Sequence, residues 1–136
     1  MKLFKISDKN KSKSKEVKDV MEAFFAIHMG DKKDFKECLR KDINLDLADD
    51  NGYTLLHFAV INEQLAMVII LLMSGANPNI ADNQGNTPLH LAISYGLNQI
   101  IFILSKHGAK TNLINKNYET PLSLANTIGR GNLFLH

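Results

Sequence analysis

The sequence predicts an all-α fold in which about four short units stack into one continuous core. Three observations predict it. The chain is self-similar at a spacing of 33 residues without a gap. Its two best-marked copies open on a helix-start signal, and every copy carries apolar residues at helical spacing. Residues 82–96, DNQGNTPLHLAISYG, show the pattern most clearly. Asp82, Asn83 and Gly85 supply turn chemistry. Thr87 is a good N-cap, and Pro88 follows at the first helical position, where its missing N–H costs nothing. Leu89, Ala92 and Ile93 then recur on one helix face before Gly96 ends it.

Shifting this stretch by 33 gives DDNGYTLLHFAVINE at 49–63 and NKNYETPLSLANTIG at 115–129. Thr54, Thr87 and Thr120 align, as do Leu56, Leu89 and Leu122, and Ala59, Ala92 and Ala125. The period divides the chain into units 16–48, 49–81, 82–114 and 115–136 behind a tail, 1–15. In unit one, Ala26, Gly30, Phe35 and Leu39 fall on the register, but Met21–Phe24 stand where the later copies carry their motif. Its second helix is rich in Asp, Lys and Glu, as suits a capping unit with one flank in water. Asp42 stands where Gly75 and Gly108 cap the later helices, at a cost of up to ~1 kcal/mol if the backbone stays left-handed. Unit two has Glu63 where the other units have Gly30, Gly96 and Gly129. Val68, Leu71, Leu72, Ile101 and Leu104 are its natural core residues and those of unit three. Unit four has Tyr118 for the loop glycine and Ser123 for the motif histidine, and reads as a truncated C-terminal cap ending at His136.

The period, and Thr87–His90 (TPLH) followed by Ala92, make the chain resemble the ankyrin-repeat family over about 120 of its 136 residues. The resemblance implies two antiparallel helices per unit, a β-hairpin-like loop to the next unit, and a curved solenoid. Inner helices are then expected near 20–28, 54–61, 87–94 and 120–127, and outer helices near 32–40, 65–73 and 98–106.

Composition narrows the function. The tail 1–15 holds six lysines and one aspartate, so the rest of the chain carries a net charge of −3. The tail reads as disordered, with at most a weak contact to anionic membrane or nucleic acid. One cysteine, Cys38, excludes an internal disulfide and suits a reducing, cytoplasmic setting. Secretion into a host cell remains open. The longest apolar run, Leu65–Met73, is nine residues, about half the ~20 that cross a bilayer. No phosphate loop, HExxH, CxxC or GxSxG motif is present, so no catalytic residue, metal or cofactor is assigned.

The motif residues Thr54, His57, Thr87, Pro88, His90, Thr120 and Pro121 read as framework. In ankyrin repeats this histidine bonds the motif threonine and backbone, and no cysteine or carboxylate recurs at its register to complete a zinc site. The resemblance places partner contacts on hairpin tips and inner-helix ends. In unit two these are Asp50, Asn51, Tyr53, Ile61 and Asn62. In unit three they are Asn83, Gln84, Asn86, Ser94 and Tyr95, and in unit four Lys116, Asn117, Glu119 and Thr127. This face is amide-rich, and Lys116 is its one cation, which disfavours duplex nucleic acid. The function expected is a non-catalytic protein-interaction module that takes a protein partner rather than a small-molecule substrate. A competing reading starts from Ile69, Phe102 and Leu135, spaced by 33 at an outer-helix position that the family usually fills with Glu or Lys. With Ala66 and Met73 they form an apolar stripe. The stripe binds a partner or a second copy, giving a weak homo-oligomer in place of a monomer; or Leu3, Phe4 and Ile6 fold back over it; or it has no role.

Overall fold

The computed structural model describes residues 11–129, and it is helical as expected. Seven helices follow in order: α1 (Lys11–Met29), α2 (Lys32–Leu39), α3 (Leu55–Ile61), α4 (Leu65–Met73), α5 (Pro88–Ser94), α6 (Asn98–Lys106) and α7 (Pro121–Thr127). They form two layers. The inner helices α1, α3, α5 and α7 pack each on the next, and α2, α4 and α6 stack behind them. Ala26, Ala59, Ala92 and Ala125 share one register on the inner helices and are all buried, so small side chains let those helices approach closely. Phe35, Val68 and Ile101 fill one outer-helix register, and Cys38, Leu71 and Leu104 another, all buried. The apolar stripe of each helix thus becomes a continuous core only because a neighbouring unit covers it.

α1 departs from expectation. It begins at Lys11, so Lys11–Lys15, assigned by composition to a disordered tail, are helical. Lysine is a good helix former, and Val17 and Val20 extend the stripe of Phe24 and Ile27 by almost two turns, which anchors the helix and lets it propagate backwards. Residues 1–10, and 130–136 with Leu135 and the truncated end of unit four, lie outside the described residues.

The backbone shows what the three odd residues of the repeat do. Asp42, Glu63 and Tyr118 all have positive φ, at 54°, 55° and 62°. Asp42 and Glu63 stand at registers whose other members are left-handed glycines, Tyr118 shares its register with the left-handed Gly52 and Gly85, and each keeps the conformation without the glycine. Around Glu63 the helix-end hydrogen bonds survive, with Gln64 N–H donating to Ala59 carbonyl at 2.9 Å.

Candidate partner-binding face

Each loop between units is shaped by its first residue. Asp49, Asp82 and Asn115 each use one side-chain oxygen to accept two backbone N–H groups of their own loop. For Asp82 Oδ1 these are Gln84 at 2.8 Å and Asn86 at 2.9 Å. The Asp82 N–H donates to Asn86 carbonyl at 2.8 Å, closing a hairpin-like loop, and the other two loops repeat the bond. Asp82 and Asn115 are buried by this arrangement. Their recurrence at 33-residue spacing was the signal that could have marked them, since Asp and Asn accept from their own loop backbone in this way. Successive tips are then joined to each other. Asn83 N–H donates to Asn51 carbonyl at 3.0 Å, and Lys116 N–H to Gln84 carbonyl at 2.9 Å.

The two motif histidines complete the frame. Thr54, Thr87 and Thr120 cap their helices by accepting the N–H of His57, His90 and Ser123. In return His57 Nδ1 and His90 Nδ1 accept the N–H of Thr54 (3.2 Å) and Thr87 (3.0 Å). The other ring nitrogen reaches the next unit: His57 Nε2 meets Asn86 carbonyl at 2.9 Å, and His90 Nε2 meets Glu119 carbonyl at 3.0 Å. A carbonyl only accepts, so each ring carries its proton on Nε2. Burial lowers the His57 pKa, opposed by the bond to Asn86 and by Asp82 and Asp49. With both nitrogens engaged, neither ring offers a ligand position to a metal.

A family model of ankyrin repeats matches the chain three times, over residues 6–82, 23–115 and 70–132. The chain belongs to the ankyrin-repeat family. Ankyrin repeats are generally protein–protein interaction modules and generally non-catalytic. No curated protein matches the chain. Among the described residues no helix is long and apolar enough to cross a membrane.

Within this ankyrin-repeat frame the proposed contacts separate into two groups. Asp50, Asn51, Asn83, Gln84, Lys116 and Asn117 sit at the tips and are exposed, as are Ser94, Tyr95 and Thr127 on the inner helices. Tyr53, Ile61, Asn62, Asn86 and Glu119 are half-buried. Several of the latter help hold the frame. Asn86 Oδ1 and Glu119 Oε1 both accept from Asn115 Nδ2, and Asn62 Nδ2 donates to Phe58 carbonyl. Tyr53 lies 5.8 Å from the His57 ring, and burial raises its phenol pKa. Asn83 Nδ2 and Thr127 Oγ1 are also engaged, with the carbonyls of Asp50 and Ser123.

On the outer layer, Ile69 and Phe102 do come together. With Leu65 and Ile103 they line a shallow groove of about 370 Å³ between α4 and α6. Ile69 and Ala66 are half-buried, Phe102 is 51% exposed with Lys106 Nζ 5.3 Å from its ring centre, and Met73 is exposed.

Proposed function

We propose that this chain is a non-catalytic binding module that presents its hairpin tips and inner-helix ends to a protein partner. The observation that carries this reading is the pair of backbone bonds joining tip to tip, Asn83 to Asn51 and Lys116 to Gln84. Held in this way, the tip side chains lose little conformational freedom when a partner docks. They form an amide-rich edge with a carboxylate, Asp50, at one end and an ammonium, Lys116, at the other. Tyr95, 55% exposed, is the aromatic anchor. The test compares proteins recovered from the native cell by the wild-type chain and by a Gln84→Ala/Tyr95→Ala/Asn117→Ala variant. All three side chains are exposed, so unfolding curves should coincide while specific partners are lost. Full retention of partners overturns the reading.

The groove between α4 and α6 favours a second reading, self-association through the outer layer. Phe102→Lys, at an exposed position, should convert an associating chain to monomer in light scattering. A wild-type mass that is monomeric at all concentrations removes this reading.

A further inference from the structure

The flank of unit one that faces away from unit two is not a finished cap. Phe25 shares its register with Phe58 and Leu91. Phe58 packs on the preceding unit, its ring 5.2 Å from Phe24 and 6.5 Å from His28, and Leu91 is buried. Among the described residues no unit covers Phe25, which is 65% exposed. It lies at one end of a groove of about 550 Å³ between α1 and α2, with Val17, Met21 and Cys38 among its lining. The rim has been made polar: Glu22, Asp34 and Glu37 stand at registers filled elsewhere by Leu55, Met67 and Ile70.

We propose that residues 2–6 of this chain fold back along α1 into this groove and cap unit one, with Leu3, Phe4 and Ile6 over Val17, Met21 and Phe25. Length fits. The groove runs along α1 from Ser14 to Phe25, about 16 Å at ~1.5 Å per helical residue, and five extended residues at ~3.3 Å each cover the same distance. The four residues between, Ser7, Asp8, Lys9 and Asn10, include three that favour turns, which the chain needs to reverse before α1. Charge fits as well. The rim carries Glu22, Asp34 and Glu37 against Lys18 and Lys41, one negative charge in excess. Residues 1–10 carry Lys2, Lys5 and Lys9 against Asp8, two positive charges in excess. Lys41 is already held by Glu22 and Asp19, and Glu37 by Arg40 at 3.3 Å, which leaves Asp34 for an incoming lysine.

Cys38 lies beneath the groove at 6% exposure and is the chain's only thiol, so a disulfide reagent reaches it only when α1 and α2 part, an opening that a docked segment slows. The full chain is compared with a Leu3→Asp/Phe4→Asp variant under native conditions, with circular dichroism confirming equal helix content. The variant should label at least fivefold faster, and Lys2→Glu/Lys5→Glu should fall between the two. Equal rates in wild type and the apolar variant overturn the proposal, including the case in which the segment docks on α4 and α6 instead. Protection of wild type that disappears on dilution also overturns it, because a second copy is then the occupant.

Discussion

The middle units and the last unit use the same polar frame differently. In units two and three, the residue three past the threonine cap is a histidine that serves two partners: Nδ1 closes the cap of its own helix, and Nε2 donates to a carbonyl of the next unit. In unit four that residue is Ser123. Its hydroxyl accepts the Thr120 N–H at 2.9 Å and donates to Thr120 carbonyl at 3.0 Å, so the cap is complete and, among the described residues, the side chain bonds only within its own helix start. The comparison divides the motif into a local job that a hydroxyl can do and an inter-unit job that needs the longer ring. Among the described residues Ser123 therefore does only the local job.

The largest expected effect tests that division. His57→Ala removes the ring from a fully buried site, leaves the Thr54 N–H without its partner and leaves the Asn86 carbonyl with only the Asp82 N–H, which should cost about 3 kcal/mol in urea unfolding. His57→Ser keeps a hydroxyl for the cap, as in unit four, and should recover about 1 kcal/mol of that loss. Equal losses in the two variants would mean that the cap contributes nothing separable from the inter-unit bond.

A second contrast lies in the loops. Gly85 and Tyr118 share a register and both have positive φ, 78° and 62°. A Cβ on Gly85 would stand 2.8 Å from Asn115 Cα and 3.0 Å from Lys116 N, because the next loop crosses there. Tyr118 is 91% exposed, and its strain has no packing to offset it. Gly85→Ala should therefore destabilise by about 2 kcal/mol, combining left-handed strain with displacement of the neighbouring loop. Tyr118→Gly should stabilise by about 1 kcal/mol. The same register gives opposite signs. A neutral Tyr118→Gly in thermal unfolding would show that the left-handed residue carries no penalty there.

Most of the fold was legible in the sequence because the period carries it. Thr54, Thr87 and Thr120 mark the caps, and the spacing of Ala59, Ala92 and Ala125 marks the seam between inner helices. The glycine registers marked Asp42, Glu63 and Tyr118 as exceptions, but only the backbone angles show that all three keep the left-handed conformation. What the period could not show was where a helix outruns its unit. α1 extends to Lys11 because Val17 and Val20 find packing, and no other unit has an equivalent. The candidate site was less legible. Register alone places Asn83, Asn86 and Glu119 beside Gln84 and Tyr95, yet the first three commit side-chain atoms to the loops themselves. Hydrogen bonds between units depend on which loop lies alongside which, and that is a property of the stack.

The smallest effect concerns the same histidine and separates its two jobs by protonation. Burial holds the His57 pKa below its ordinary value of 6.5. A depressed pKa means that folding favours the neutral ring, so its contribution to stability is complete above pH 6.5 and is lost as pH falls through the folded-state value. Protonation places a second N–H on Nδ1, directly against the Thr54 N–H that it accepts, while the Nε2 bond to Asn86 is unaffected or strengthened. Acid should therefore weaken the cap before it weakens the link between units. Urea midpoints measured from pH 7.5 to 5 should decline in wild type, and the decline should be shallower in His57→Ser, which has a hydroxyl in the cap and no proton to gain. Parallel declines in the two chains would place the acid sensitivity at another group and remove His57 as its source.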